Sequence, residues 1–218
     1  MILCIYGNGG LGREVLLLVQ QINRLTHRWT DVVFVDDFNK GLTAGVRVIS
    51  FAEATAEHSR DSLEVCIGIG EPALRAMLYE RVSRAGVSWA TLVHPSVFVP
   101  ASATIGAGVI INQFSFISCG VVLGDNVFVQ PSANIGHDCR IGPHSVISSF
   151  VSLGGSGTIG TRSYIGMGVP VKEGTNIGDD VIVGMGSAVL RDIESNVVAL
   201  GNPARPMTIN HSKRVFGR

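Results

Sequence analysis

The chain has 218 residues, 46% of them hydrophobic, which is enough for two small domains or for one domain with an appendage. Its seventeen basic and seventeen acidic residues cancel, so no overall field attracts nucleic acid or an anionic membrane surface. The sequence shows no run of eighteen apolar residues and no charged-then-apolar leader, which disfavours a membrane span and secretion.

The cysteines indicate a reducing environment. The four residues Cys4, Cys66, Cys119 and Cys139 form neither a Cys-x-x-Cys pair nor the spacing of a disulfide framework. Cys4 and Cys66 fall within apolar runs that are typical of strands. A cytoplasmic location is therefore expected.

The beginning of the chain carries a phosphate-binding pattern. Residues 1–6 form an apolar strand, residues 7–12 read Gly-Asn-Gly-Gly-Leu-Gly, and a helical pattern follows over about 13–23. In this order the glycines permit a tight turn, and the helix N-terminus offers free N–H groups to a phosphate. The next apolar run ends at Asp36 and Asp37, whose carboxylates can accept hydrogen bonds from ribose or sugar hydroxyls.

Two more strand-and-helix units follow, 46–49 with 51–57 and 64–69 with 73–85, and Pro72 stands at the start of the last helix. This alternation predicts a small doubly wound α/β domain with a parallel sheet. The domain lacks the second half that usually covers a dinucleotide, so a nucleotide sugar is favoured over a dinucleotide. A third interpretation is that the glycines serve only the turn.

A repeat of six residues organises the rest of the chain. A branched aliphatic residue returns seventeen times without interruption, which is the pattern of the hexapeptide β-helix. Each repeat gives one short strand and one bend, three repeats close a triangular coil of eighteen residues, and stacked coils place the aliphatic residues about 4.8 Å apart. The aliphatic positions are Val93, Val99, Ile105, Ile111, Ile117, Leu123, Val129, Ile135, Ile141, Ile147, Leu153, Ile159, Ile165, Val171, Ile177, Val183 and Val189.

The sequence thus predicts three parts. Residues 1–90 form a Rossmann-like domain that binds a nucleotide sugar, residues 91–200 form a parallel β-helix, and residues 201–218 form a C-terminal tail. The last eight residues are basic and lack apolar periodicity, so we expect them to be loose and to lie near a phosphate.

His137 is the histidine best placed for catalysis. It is followed by Asp138 in a bend between two repeats, where a side chain projects from the prism. A neighbouring carboxylate fixes the tautomer of an imidazole and raises its basicity, as a general base requires. An ordinary surface histidine is the alternative at His137 and the expectation at His144, while His94 is expected to shape the junction between the domains.

The whole chain resembles the bacterial left-handed β-helix sugar acetyltransferases, of the sialic acid O-acetyltransferase and nucleotide-amino-sugar N-acetyltransferase type. The resemblance implies a homotrimer, left-handed coiling, and acetyl-coenzyme A as co-substrate in a groove between adjacent β-helices. Besides the repeats, the matching stretches are 6–12, 34–37, 67–70, 92–96, 136–139 and 201–205.

The resemblance also implies roles for individual residues. The residue matching His137 acts as general base, and the acidic neighbour matching Asp138 orients it. The implied sugar-site residues are Gly9, Gly10, Leu11, Asp36 and Asp37. The implied coenzyme-site residues are Met167, Met185, Gly201, Pro203 and Arg205, together with Val146, which stands where some relatives carry a second histidine.

Together these features predict acetyl transfer from acetyl-coenzyme A to the amino group of a nucleotide-linked amino sugar, in the synthesis of a bacterial surface polysaccharide or glycan. Two alternatives stay open: O-acetylation of sialic acid or another sugar hydroxyl, and a non-catalytic trimeric scaffold. A zinc enzyme of the β-helix carbonic anhydrase type needs three histidine ligands. The residues one coil before and after His137 are Cys119 and Gly155, so no metal is expected.

Overall fold

The amino-terminal domain is a doubly wound sheet, as predicted. In the computed structural model, which describes residues 1–216, its strands are β1 (Ile2–Tyr6), β2 (Asp31–Val35), β3 (Gly41–Thr43), β4 (Val46–Ile49), β5 (Leu63–Ile67) and β6 (Ser88–Trp89). Their order is β3-β4-β2-β1-β5-β6, and only the edge strand β3, which the sequence did not reveal, pairs antiparallel. The helices are α1 (Gly10–Thr26), α2 (Phe51–Glu57) and α3 (Pro72–Arg84), with a short 3₁₀ turn at Arg60–Ser62.

Alternate residues of the central strand β1 serve two different cores. Leu3 and Ile5 pack with α1, whereas Cys4 and Tyr6 pack with α2 and α3. A parallel sheet buried on both faces needs such a continuous apolar run.

The rest of the chain winds into a left-handed β-helix of fifteen two-residue strands. They are β7 (Leu92–Val93), β8 (Thr104–Ile105), β9 (Ile110–Ile111), β10 (Phe116–Ile117), β11 (Val122–Leu123), β12 (Phe128–Val129), β13 (Asn134–Ile135), β14 (Arg140–Ile141), β15 (Val146–Ile147), β16 (Ser152–Leu153), β17 (Thr158–Ile159), β18 (Tyr164–Ile165), β19 (Pro170–Val171), β20 (Asn176–Ile177) and β21 (Ile182–Val183). Strands one coil apart pair in parallel, as Phe116 does with Asn134. The aliphatic residues of the repeat line the core, which confirms the predicted register.

One face of the prism carries the amino-terminal domain. We call the sheet of β7, β9, β12, β15, β18 and β21 the docking face. Its outward-pointing residues Leu92, Ile110, Phe128 and Val146 are completely buried because α1 packs against them. Helix α1 is therefore enclosed between its own sheet and the β-helix.

Buried polar groups fix the junction of the two domains. The guanidinium of Arg75 is fully buried and donates to the carbonyl oxygens of Ile67, Ile69 and Asn126. At the other end of α1, Gln21 and His94 are joined by a hydrogen bond of 2.7 Å between Oε1 and Nε2. His94 thus belongs to the junction, as the sequence indicated.

His144 also belongs to this junction, so the expectation of an ordinary surface histidine is wrong. Its Nδ1 lies 3.1 Å from Nδ2 of Asn126, and its ring lies 5.2 Å from that of Tyr79 in α3. Burial and the nearby charges of Arg75 and Arg162 lower the pKa of His144 to about 4.

The C-terminal part departs most from the sequence prediction. Strands β22 (Val197–Leu200) and β23 (Arg205–Ile209) form an antiparallel hairpin that extends the docking-face sheet. Lys213, Val215 and Phe216 are hydrogen-bonded to the rest of the protein, so the prediction of a loose tail is wrong for this segment, while Gly217 and Arg218 lie outside the described residues. None of the helices within 1–216 is long and apolar enough to cross a membrane. We propose that the domain boundary lies near residue 90, between β6 and β7.

Candidate active site

His137 and Asp138 form a hydrogen-bonded pair on one edge of the prism. They occupy the bend between β13 and β14, and imidazole Nδ1 lies 2.9 Å from Oδ2 of Asp138. Asp138 has a φ of 58°, a conformation tolerated by short polar side chains. Both side chains are at least half exposed. Because Nδ1 faces the carboxylate, Nε2 is the ring nitrogen left for a proton transfer.

Two glycines in adjacent coils make room for this pair. A Cβ at Gly155, one coil after His137, would lie inside 3.0 Å of Nε2, Cε1 and Cδ2 of the imidazole. A Cβ at Gly120, one coil before Asp138, would lie inside 3.0 Å of Oδ1 of that carboxylate. These glycines were not predicted as site residues, although the offset of eighteen residues from His137 and Asp138 points to both. We call the bends 118–121, 136–139 and 154–157 the His137 edge.

The glycine loop of the amino-terminal domain contains two kinds of glycine. Gly12 and Gly68 are required by packing, because a Cβ on either would lie inside 3.0 Å of backbone atoms across the contact between α1 and the sheet. Gly9 and Gly10 have no such reason, since a Cβ on either would meet no atom within 4 Å. The first turn of α1 contains no acidic residue. The helix N-terminus is thus open to an anion.

The two acidic residues after β2 are already engaged within the protein. Oδ1 of Asp36 accepts from the backbone N–H groups of Phe38 and Asn39, at 2.9 Å each. Asp36 therefore shapes the turn and leaves Oδ2 as its more available oxygen.

The carboxylate of Asp37 has more partners than that of Asp36. It accepts from the hydroxyl of Tyr6, the guanidinium of Arg81 and the N–H of Phe51. Although burial opposes ionisation, these hydrogen bonds and the charge of Arg81 lower the pKa of Asp37. The carboxylate of Asp37 thus holds Tyr6 and Arg81 in place beside the N-terminus of α2, and its predicted contact with a sugar hydroxyl stays a prediction. Its partners Tyr6 and Arg81 are distant in sequence and were not predicted.

A cavity of about 360 Å³ opens beside these acidic residues. It lies between the carboxyl ends of the central strands and α3. Phe38, on its rim, is 94% exposed. Its lining includes Tyr6, Asp36, Ile69, Met77 and Arg81.

The residues implied for coenzyme binding fall into two groups. Met167 and Met185 are exposed one coil apart, on a second edge of the prism that we call the methionine edge (bends 148–151, 166–169 and 184–187). The turn that contains Gly201 and Pro203 lies beside this edge, where the N–H of Gly201 donates to Ser187 Oγ at 3.0 Å, and Arg205 begins β23 directly after the turn. The side chain of Val146 is fully buried beneath α1, so we leave it out of the site proposed below.

Within one chain, the glycine loop and His137 lie on opposite sides of the prism. The loop belongs to the domain that covers the docking face. The His137 edge joins the other two faces and is opposite the docking face.

Among residues 1–216, no group of three or more His, Cys, Asp and Glu side chains is arranged to hold a metal ion. The site thus consists of an exposed imidazole–carboxylate pair and an open helix N-terminus on a β-helix scaffold. The pair and the helix N-terminus on this scaffold define a class of acyl-transfer enzymes.

Comparison with known proteins identifies the family. Residues 2–82 match the family model for the PglD N-terminal domain, and residues 120–155 match the model for the bacterial transferase hexapeptide. The acetyltransferase domain of PglB from Neisseria gonorrhoeae is 30% identical, with a TM-score of 0.87 over 94% of this chain and 99% of that one. The chain belongs to the hexapeptide-repeat family of acetyl-coenzyme A-dependent sugar acetyltransferases, as the sequence predicted.

Similar proteins have also been solved with ligands or have a named substrate. A variant of perosamine N-acetyltransferase from Caulobacter crescentus, in complex with CoA and GDP-perosamine, is 28% identical, with a TM-score of 0.88 over 95% of this chain and 97% of that one. The PglB domain has also been solved with acetyl coenzyme A. Galactoside O-acetyltransferase of Escherichia coli is 46% identical over 48 residues, which span 22% of this chain and 24% of that protein.

Proposed function

We propose that this protein transfers the acetyl group of acetyl-coenzyme A to the amino group of a nucleotide-linked amino sugar. The observation that carries the proposal is the presence, in one chain, of the His137–Asp138 pair and of an α1 N-terminus left open by Gly9 and Gly10. The full-length similarity to an N-acetyltransferase that binds CoA and GDP-perosamine supports the same acceptor class.

The glycine loop holds the acceptor. The first N–H groups of α1, at Gly10 and Leu11, donate to the diphosphate, and the helix dipole adds to this attraction. The adjoining cavity receives the nucleoside, with Oδ2 of Asp36 available to a hydroxyl or an N–H group. Asp37 contributes indirectly, by fixing Tyr6 and Arg81 in the wall of that cavity.

His137 is the general base of a direct transfer. Nε2 removes a proton from the sugar nitrogen as the nitrogen attacks the thioester carbonyl, and the tetrahedral intermediate then expels the coenzyme A thiolate, which takes up a proton. Nδ1–H donates to Asp138, which holds the tautomer and stabilises the imidazolium. A base of this kind contributes on the order of 10²- to 10⁴-fold to the rate.

The N–H of Gly155 is the donor that we assign to the oxyanion. Gly155 packs against the imidazole of His137, and within 1–216 its N–H donates to no other protein group. A backbone donor beside the general base stabilises charge that develops on the thioester oxygen.

The proposed active site is formed by residues of two neighbouring copies of the chain in the predicted homotrimer. Because the loop and His137 lie on opposite sides of one prism, an acceptor at one loop meets His137 of a neighbouring copy. Phe116 in β10 and Phe98, one coil earlier, expose their rings on the face that joins the His137 and methionine edges. An exposed apolar patch of this kind is typical of an interface, so we place the neighbouring copy against this face. Acetyl-coenzyme A then lies between the copies, along Met167, Met185 and the turn at 201–205.

O-acetylation of a sugar hydroxyl is the second candidate, favoured by the local similarity to galactoside O-acetyltransferase. The same imidazole–carboxylate pair serves either nucleophile. Because the amino-terminal domain offers a phosphate site that a free sugar does not need, we prefer the nucleotide-linked acceptor. The cytoplasmic location expected from the sequence remains part of this proposal.

An acceptor panel tests the proposed function. The wild-type protein is mixed with acetyl-coenzyme A and, in turn, GDP-perosamine, UDP- and dTDP-linked amino sugars, free sialic acid and a galactoside, and thiol release is followed. We expect turnover on at least one nucleotide amino sugar, with a product that resists hydroxylamine, which cleaves esters but not amides. Turnover confined to sialic acid or the galactoside would show that the acceptor has been misassigned.

A further inference from the structure

Residues 210–216, which we call the C-terminal strap, run from the end of the β-helix to the amino-terminal domain. The strap begins at Asn210, which is buried and whose Nδ2 donates to the carbonyl oxygen of Asp180 at 2.8 Å. Nζ of Lys213 lies 3.0 Å from the carboxylate of the same Asp180, which also binds Arg162. Only 4% of the Asp180 side chain is exposed, so the strap is attached to the β-helix at a buried carboxylate.

A second attachment joins the strap to the amino-terminal domain. The carboxylate of Glu71 accepts from the N–H of Val215 at 3.0 Å and from the N–H of Phe216 at 3.2 Å. Glu71 precedes α3 directly, but its side chain makes no capping hydrogen bond to that helix. The carboxylate instead accepts hydrogen bonds from the strap. Because the acceptor is ionised, these hydrogen bonds are stronger than those between neutral groups.

The strap ends beside the glycine loop. The ring of Phe216 contacts Tyr164 of the docking face edge-on, with 5.7 Å between ring centroids. A Cβ on Gly70 would lie 3.2 Å from Cδ2 of Leu11 and 3.5 Å from the ring of Phe216, so Gly70 lies between these two side chains. Leu11 is the second residue of α1. Phe216 is nevertheless 58% exposed and thus offers apolar surface near the helix N-terminus.

We propose that the strap forms one wall of the acceptor site and that Phe216 contacts the sugar of the bound acceptor. The inference rests on the proposed function only in that the acceptor lies at the glycine loop. The N–H groups of α1 hold the charged part of the acceptor, and the phenyl ring offers an apolar surface to the C–H face of the sugar ring next to it. The strap thereby makes acceptor affinity depend on the last described residues of the chain.

Replacement of the ring tests this inference. In the full chain, Phe216→Ala is expected to raise the KM for the acceptor about tenfold, with the KM for acetyl-coenzyme A within about twofold of wild type. The matched control is Leu25→Ala, which removes another exposed apolar side chain, at the other end of α1, and should change neither KM. The acceptor is whichever compound of the panel the wild type acetylates, so the test stands even if that compound is not a nucleotide amino sugar.

A second variant distinguishes the loss of the strap's contact with the acceptor from a general loss of stability. Glu71→Ala releases the end of the strap and, like Phe216→Ala, should raise the KM for the acceptor. Because both substitutions act through one contact, the double variant should show little further rise in this KM. Thermal melting of each variant checks the fold. An unchanged acceptor KM in Phe216→Ala, or an equal rise in both KM values, would overturn the inference without touching the role of His137.

Discussion

The orientation of the His137 imidazole depends on the absence of a side chain one coil away. The ring packs over Gly155, where any Cβ would overlap three of its atoms. The repeat brings residues eighteen apart into register, so a functional residue on one bend fixes what the next bend can carry. Gly155 is therefore a positioning residue as well as the proposed oxyanion donor.

Substitution of Gly155 tests this dependence. In Gly155→Ala the imidazole must rotate away, so we expect kcat to fall by about 10- to 100-fold, with both KM values within about threefold of wild type. Steady-state kinetics measure the split between kcat and KM. The control is Gly157→Ala on the same bend, whose Cβ would meet Thr175 O at 3.2 Å and does not approach the ring. Equal losses in the two variants would show that the bend, and not the ring position, was disturbed.

At this scale the sequence revealed the pair but not its surroundings. His137 and Asp138 are adjacent in sequence, so their hydrogen bond follows from local geometry. The hydrogen bonds of Asp37 were not predicted because its partners Tyr6 and Arg81 lie on other elements. Residues that meet through tertiary packing leave no local signal.

At the scale of elements, the packing of α1 on the β-helix was not predicted, although the sequence of the repeats indicates it. The position before each repeat aliphatic points outward, and on two faces it is often polar, as at Asn134 and Arg140. On the docking face it is aliphatic or aromatic in every coil, as at Ile110, Phe128 and Val146. An outward apolar column with a period of eighteen residues thus marks the face that is covered. The strap had no comparable signal, because its anchors are backbone N–H groups and single side chains.

The junction also makes stability depend on pH through His144. Its pKa is about 4 in the folded protein against 6.5 ordinarily, so between these values the unfolded chain binds more protons and stability falls as pH falls. Because the ring is only partly buried, we expect a loss of about 2 kcal/mol from pH 7 to pH 4.

Calorimetric melting at pH 7 and pH 5 measures this dependence. His144→Gln should reduce the fall in melting temperature on acidification, whereas the control His58→Gln, at the end of α2, should leave the fall unchanged. An equal fall in wild type and His144→Gln would place the acid sensitivity elsewhere.

At the scale of the whole molecule, the two halves of the proposed site are built on opposite sides of one prism. The sequence predicted both halves and the scaffold, because the repeat and the strand–loop–helix pattern are local. It did not predict how they face each other, since that depends on which side of the β-helix the first domain covers. The resemblance implies a trimer, and the opposed positions of the glycine loop and His137 favour a site shared between copies.

Two single variants each disable one half of the proposed site. His137→Ala removes the proposed base and should lower kcat by about 10²-fold or more while leaving acceptor binding intact. Gly9→Asp places a carboxylate at the N-cap of α1, where Asp suits the helix and no protein atom obstructs it, but where it repels a diphosphate. Gly9→Ser is the neutral control for the added side chain.

The most direct test of the account is the activity of mixed trimers formed from His137→Ala and Gly9→Asp chains by co-refolding. Each variant alone should be nearly inactive. If the loop of one copy serves His137 of the next, random mixing at equal ratio restores about a quarter of the wild-type sites. Activity that stays at the sum of the two inactive parents, in trimers shown by size and tag content to be mixed, would contradict a site shared between copies.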